Sequence, residues 1–462
     1  MTVLSRRRFL AASAVSAASA GTSAIAAREP GDLDVVIIGA GVAGIAAARR
    51  LAGTKAKIAV IEASERLGGR CFTDSSTFGV PFDRGAHWIH VPDLNPVTPL
   101  AMKSGFDIYP APLAQRVRIG RRYARTGEME DYLTATVRAN RAIGEAARGR
   151  QDVSCTQALP KDLGEWQPTI EFVLGPFGCA KNLADVSALD FSRSLERNSD
   201  MFCREGLGAL IAKLADGLPV QLSRPASRID WSERNRIEIR TTKGYLYART
   251  VIVTVSTGVL MSKLTFDPEL PRRYLDAIEK LQLGSYDHIA LELPGNPLGL
   301  QRDELVFEKA DSARTAAILA NISGTTLCTI EVAGKFGADL TASGEPAMVS
   351  FALDWLTGLY GPDLRRTVKR TSATRWNQEP WVLGAFSAAA PGGQWARAAL
   401  AEPVRDRIFF AGEATHETLW GTVGGAWASG ERAADAVLRR LGIPSGPPER
   451  NRPAASQTSR RR

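Results

Sequence analysis

Metal-binding side chains are scarce in this chain. Its 462 residues include 5 cysteines and 4 histidines. Cys71, Cys155, Cys179, Cys203 and Cys328 stand far apart, without the close pairs that zinc sites and iron–sulfur clusters use. The histidines show no ligand spacing, so a metal centre is not expected. An odd, scattered set of thiols leaves room for one or two disulfides in an oxidising compartment, but their positions dictate no pairing. Long apolar runs are missing too. Beyond the N-terminal stretch no segment of about 18 apolar residues occurs, so no membrane span is expected in the mature chain. No internal repeat is visible, which argues against solenoids and propellers. The net charge of +9 suggests nucleic acid at first. Arg6, Arg7 and Arg8 and the arginine-rich segment 444–462 carry most of it, leaving the body of the chain nearly neutral.

The two ends read as processing and solvent segments. Ser5-Arg6-Arg7-Arg8-Phe9-Leu10, followed by Ala/Ser-rich sequence to residue 27, has the form of a twin-arginine export signal. Cleavage falls near Ala24-Ile25-Ala26; an uncleaved anchor is the rival reading. The expected location is therefore periplasmic or secreted. Segment 444–462 is Pro-rich and polar and reads as a disordered tail. About 420 residues remain, more than one core accommodates, so two domains are expected.

What is present is a nucleotide-binding βαβ unit. Val35, Val36, Ile37 and Ile38 form a buried strand. Gly39 permits the turn out of it, Gly41 lets backbone approach a pyrophosphate, and Gly44 lets the next helix pack close to the sheet. The helix N-terminus offers free N–H groups to the phosphates. Glu62 ends a second strand about twenty residues on, where a carboxylate meets ribose hydroxyls. The unit commits the chain to a dinucleotide and points to redox chemistry.

The remaining sequence interleaves strands and helices. Segment 93–199 is helical in pattern. A helix opens at Glu205-Gly206-Leu207-Gly208, and strands are expected over 220–223, 227–231, 237–240 and 250–255. A buried strand over 407–412 ends at Glu413, and a helix is expected over 426–441. Glu413 is placed to bond ribityl hydroxyls. Gly424-Gly425 lets backbone pass a flat ring, and the helix aims its N-terminus at an electron-rich cofactor edge.

Three further motifs carry a resemblance. Arg66-Leu67-Gly68-Gly69-Arg70 is similar to the segment by which FAD-dependent amine oxidases touch the pyrophosphate a second time. Phe82-Asp83-Arg84-Gly85-Ala86-His87-Trp88-Ile89-His90, and Phe409 to Trp427 around Glu413 and Thr422-Val423, resemble the flavin-containing amine oxidases, their polyamine oxidase branch most. Arg375-Trp376 and Gly384-Ala385-Phe386-Ser387 add a fourth match, so the resemblance spans residues 34–432.

The resemblance implies an α/β fold, with a Rossmann-like FAD-binding domain of the glutathione-reductase type (32–92, 203–265 and 380–443). This is interleaved with an α+β substrate-binding domain (93–202 and 266–379). It implies FAD contacts from Gly39, Gly41, Gly44, Glu62, Arg70, Ala86, His87, Trp88, Ala226, Trp376, Glu413, Thr422 and Val423. The implied reaction is oxidation of an amine C–N bond by hydride transfer to flavin N5. The imine then hydrolyses to an aldehyde and an amine, and O2 is reduced to H2O2. Burial of the substrate ammonium in an apolar tunnel lowers its pKa and favours the neutral amine that reacts. Export in the folded state suits a chain that acquires its flavin first.

Several positions depart from the family pattern. Covalent members attach flavin through a Cys where this chain has Ala385, so the FAD is expected to be non-covalent. Of the two aromatics flanking the substrate nitrogen, Phe386 is one; the other position is Thr422, as in spermine oxidases and histone lysine demethylases, which favours polyamine-like or lysine-like substrates. The Lys that holds a water near flavin N5 is replaced by His288. That His either holds the water through a ring nitrogen or is a satisfied histidine at a strand start. With a pH-dependent charge there, a periplasmic electron acceptor besides O2 comes into view. His90 either bonds a substrate amine or makes a structural hydrogen bond, and His87 is expected on the opposite face of an extended segment. The alternatives are an L-amino acid oxidase with an Arg clamp on a carboxylate, a carotenoid-type desaturase, an amine dehydrogenase and a non-catalytic FAD-binding protein.

Overall fold

Strand β1 (Leu33–Ile38) crosses the middle of an eight-stranded sheet. Val35, Val36 and Ile37 have no exposed surface, as a strand covered on both faces requires. It pairs in parallel with β2 (Ile58–Ile61) on one side and β3 (Gly244–Val253) on the other. The computed structural model describes residues 33–112, 115–194 and 199–445. The expected export signal lies outside the described residues, as does nearly all of the expected tail.

Strand β3 is longer than the 250–255 strand expected. Its first half pairs antiparallel with Ile237–Thr241. Its second half lies between β1 and the short strand Ile408–Phe410, parallel to both. One strand thus joins an antiparallel meander to the parallel nucleotide-binding half. An unbroken apolar run marks only the fully buried end, because the other end is half covered and alternates in burial. Helices α1 (Val42–Ala52) and α2 (Val423–Leu441) cover one face. They pack so tightly that a Cβ on Gly430 would lie 2.1 Å from the Ala43 carbonyl oxygen. Val35, Ile45, Leu51, Ile252, Trp427 and Val437 form the core between them.

A second sheet of seven strands stands apart in sequence. Its order is Thr371–Ala373, β4 (Tyr286–Glu292), β5 (Leu327–Ala333), Ala317–Ala320, Glu304–Glu308, Gln115–Ile119 and Arg122–Tyr123. β4 and β5 are antiparallel, with His288 opposite Glu331. Helix Thr126–Ala146 and shorter helices fill the 93–199 region, though strands Ile108–Pro110, Gln115–Ile119 and Arg122–Tyr123 also occur there.

All five cysteines are free and buried, so the disulfides that an oxidising compartment would permit are not formed. Cys71 and Cys203 lie in one core cluster and Cys155 and Cys179 in another. Among the described residues no helix is long and apolar enough to cross a membrane, and no cluster of His, Cys, Asp and Glu has the makings of a metal site.

Candidate active site

The loop after β1 begins the site. Gly39 has φ +104°, and a Cβ there would lie 2.6 Å from the Thr254 hydroxyl. At Gly44 a Cβ would come within 1.9 Å of the Gly39 carbonyl oxygen. Gly41 differs. Its φ of −74° is ordinary, and a Cβ there would meet nothing nearer than 4.0 Å. What the missing side chain leaves open is the cavity that Gly41 lines. That is the cradle a pyrophosphate needs, with the α1 N-terminus directly behind it. The second Gly-Gly sits against the first: Gly68 pairs with Gly41, and Gly69 backs onto the Gly41 Cα.

The cavity measures about 800 Å³ and draws its walls from both sheets. Of the residues nominated from sequence, Gly39, Gly41, Glu62, Arg70, Ala86, His87, Trp88, His90, Ala226, His288, Trp376, Phe386, Glu413, Thr422 and Val423 all line it. Gly44 does not; it holds α1 against the turn.

Glu62 is oriented before any ligand arrives. Its Oε2 accepts from the Ala40 N–H (2.7 Å), and its Oε1 from the Ser64 N–H and hydroxyl (both 2.8 Å). Arg70 donates to Glu413 Oε1 (2.9 Å) and to the Ala385 carbonyl (2.5 Å). Glu413 also accepts from the Ser387 hydroxyl (2.8 Å) and the Gly421 N–H (3.1 Å). One carboxylate therefore ties together four chain segments around the cavity. Helix α2 begins at Val423, three residues before the expected start, because Thr422 caps it. The Thr422 hydroxyl accepts from the Gly425 N–H (3.0 Å) and donates to the Leu419 carbonyl (2.6 Å). The hydroxyl proton and one of its two lone pairs are thus engaged in the cap. Phe386 stands beside it, its ring seated on Gly421, where a Cβ would lie 2.9 Å away.

Two readings need correction. Gly424 and Gly425 do not pass a cofactor ring. A Cβ on either would strike Asn95 (2.8 Å) or the Leu419 carbonyl (2.1 Å), so they are packing glycines. Burial alternates over 87–90: His87 and Ile89 are buried while the Trp88 and His90 rings stack on the other side, although His87 still contributes to the cavity lining. His87 Nδ1 bonds Asp83 (2.8 Å), while its Nε2 is buried without a partner. Second, His288 holds no water through a ring nitrogen, because both nitrogens meet protein acceptors. Nδ1 meets Glu331 Oε2 at 2.5 Å and Nε2 meets the Gly85 carbonyl at 3.0 Å. Two acceptors facing two ring nitrogens require both to carry protons. Burial alone would depress its pKa, but Glu331, the Gly85 carbonyl and Asp287 together raise it above 6.5. His288 is thus a buried ring on the cavity wall whose surroundings favour the protonated form.

The match to the family model for flavin-containing amine oxidoreductases runs over residues 42–438. The chain belongs to this family. It is 28% identical over 453 residues to human lysine-specific histone demethylase 2, covering 87% of this chain and 53% of that protein. The chain therefore spans about half the length of that relative. It is 26% identical over 448 residues to probable polyamine oxidase 4 of Arabidopsis thaliana, covering 88% of this chain and 87% of the relative. Cyclohexylamine oxidase from Brevibacterium oxydans shares the fold, with a TM-score of 0.75, 19% identity and coverage of 89% and 100%. So does putrescine oxidase, with a TM-score of 0.72 and 20% identity over 88% and 99%.

The cofactor of a flavin-containing amine oxidoreductase is FAD, and the open cradle over Gly41 and the unpartnered Nε2 of His87 fit a group absent from the protein chain itself. Sequence reasoning missed Arg66, which lines the cavity, bonds the Gly69 carbonyl (2.7 Å) and lies over Phe72; burial lowers its pKa. It also missed Glu331 and Asp200, whose partners His288 and His90 lie 43 and 110 residues away in sequence. No local pattern signals such pairs.

Proposed function

We propose that this protein oxidises a C–N bond of a polyamine-type substrate, with non-covalently held FAD and with O2 as the electron acceptor. The observation that carries this reading is the continuous cavity. It joins the Gly41 cradle to a wall of Phe386, Thr422, His288 and His90. When bound, FAD supplies the hydride acceptor for the carbon next to nitrogen.

The chain's own residues do the rest. Gly39, Gly41 and the α1 N-terminus receive the pyrophosphate, Glu62 the ribose, and Ala226 the adenine end. Arg70, Trp376, Glu413 and the capped N-terminus of α2 enclose the reactive end. That dipole favours negative charge on a ligand beside it. Phe386 supplies a flat apolar face, and enclosure favours the neutral form of the amine. Cys71 is a cavity-lining thiol, and burial pushes its pKa up to about 12. A thiol kept protonated is a poor nucleophile, which together with Ala385 supports non-covalent FAD.

His288 bears on the electron acceptor. Surroundings that favour the imidazolium, in place of the family's ammonium, support a cation on the cavity wall and with it O2 as the acceptor. The amino acid oxidase reading needs an arginine whose donors are left for a carboxylate. The cavity's arginines are Arg66, Arg70 and Arg224 among the described residues, and each is already bonded to protein acceptors. The N-terminal Arg-Arg motif supports export to the periplasm. The test is anaerobic bleaching of the flavin by spermine, spermidine, putrescine, phenethylamine and amino acids. Bleaching by the polyamines first is expected, and no bleaching by any amine overturns the reading.

A further inference from the structure

One carboxylate on the cavity wall has no role in the chemistry described so far. Asp200 lines the cavity beside Ala111 and Gln115, on the side built from the second sheet. Its backbone carbonyl accepts from the Ala111 N–H (2.9 Å), fixing the segment against strand Ile108–Pro110. Its Oδ2 meets His90 Nδ1 at 2.8 Å. Its Oδ1 is shielded from water and meets no donor. The side chain is only 10% exposed. A carboxylate this buried normally has its acceptors filled, because an unmet charged acceptor is costly. Asp200 makes no ion pair with a Lys or Arg among the described residues. The torsion that turns an Asp carboxylate has broad minima, so a modest rotation presents Oδ1 to the cavity.

We propose that Asp200 receives a second, non-reacting ammonium group of the substrate. This inference rests on the amine-oxidising reading above and sharpens it to diamines and polyamines. The nitrogen that is oxidised must be neutral, and a carboxylate stabilises the charged form. Asp200 therefore serves the other nitrogen. His90 is its positioning residue: it orients the carboxylate through Nδ1 and, by holding Oδ2, leaves Oδ1 for the ligand. A monoamine reaching the same cavity leaves Oδ1 unmet and binds less well.

The test uses dithionite-reduced holoenzyme, which binds amines without turning them over. Calorimetric titration compares 1,4-diaminobutane with 1-aminobutane in the unaltered protein and in Asp200→Asn. Asparagine keeps an oxygen for His90 and nearly the same volume, so a role confined to orienting His90 survives the change. Loss of the charge-assisted bond is expected to weaken diamine binding roughly 10- to 100-fold, with 1-aminobutane changed less than about twofold. Equal loss for both amines, or none for either, overturns the proposal. If Asp200→Asn fails to load flavin, the unaltered enzyme still decides: equal affinity for the two amines overturns it, and a diamine preference of tenfold or more supports it. If no amine bleaches the oxidised flavin, the functional reading itself fails. If diamines bleach it and Asp200→Asn binds them normally, only the role of Asp200 fails.

Discussion

Replacing Gly41 by alanine separates folding from cofactor binding. The backbone there has φ −74° and ψ −176°, which alanine adopts without strain, and the new methyl meets no protein atom within 4.0 Å. The apo-protein is thus expected to keep its stability, or to gain about 0.4–1 kcal/mol from a less flexible unfolded chain. The methyl instead occupies the cavity, where a phosphate oxygen must come within about 2.9 Å of a backbone N–H. Carbon needs about 3.5 Å or more, so the phosphate is pushed out of hydrogen-bonding range. Two charge-assisted bonds at about 1.5–3 kcal/mol each are at stake, which corresponds to a Kd raised roughly 100- to 10,000-fold. At a fixed free FAD concentration well above the original Kd, a hundredfold weaker site strips about 2.7 kcal/mol of ligand-linked stability. Quenching of flavin fluorescence gives the Kd, and thermal unfolding of apo and holo forms gives the two stabilities. Gly44→Ala is the control: its Cβ would lie 1.9 Å from a backbone oxygen, so it fails at folding. A Gly41→Ala protein that binds FAD as tightly as the original refutes the assignment of the cradle.

Four other outcomes are expected. Glu331→Gln removes the anion that keeps His288 charged. Because the folded pKa of His288 is raised above 6.5, the pair's stabilisation is complete below about pH 6.5 and fades as pH climbs through the raised value. The variant should therefore lose about 3 kcal/mol near pH 6 and progressively less in more alkaline buffer; a loss independent of pH between 6 and 9 contradicts the buried imidazolium. Acid precipitation should release all flavin into the supernatant, whereas a yellow pellet would reveal a covalent bond. Thr422→Val deletes the α2 cap and should cost about 1 kcal/mol in denaturant unfolding. Phe386→Ala should slow anaerobic flavin reduction by roughly 100-fold at saturating amine through misplacement of the substrate; an unchanged limiting rate removes Phe386 from the site.

The legible parts of this protein are the ones whose physics is local. The run from Val35 to Gly44 encodes strand, turn and helix in ten consecutive residues, and Gly39 and Gly44 are forced by contacts of 2.6 and 1.9 Å within that unit or its neighbour. The buried end of β3 was visible as an apolar run. Its first five residues, which alternate in burial against Ile237–Thr241, were not joined to it. Family motifs located Arg70, Phe386, Glu413 and Thr422 on the cavity wall, but not what each one does. The roles of Thr422 as a cap and of Gly424-Gly425 as packing glycines depend on Leu419 and Asn95, which are brought near only by the tertiary fold. The dyads His288–Glu331 and His90–Asp200 are the extreme case, since each side chain is held by a partner in a distant segment.

The cavity's walls run from Ile38 to Ala426, and α1 has α2 as its main helical neighbour. During synthesis at about 5–20 residues per second, on the order of half a minute or more separates emergence of the phosphate loop from emergence of the helix that closes over it. Throughout that interval the apolar side of α1, including Ile45 and Leu51, has no α2 to cover it. The flavin site is therefore complete only once the C-terminal helix has emerged, so flavin capture follows synthesis of nearly the whole chain. Cofactor occupancy in a cell extract therefore sets a lower bound on the fraction of molecules that finished folding, independently of how many turn over substrate.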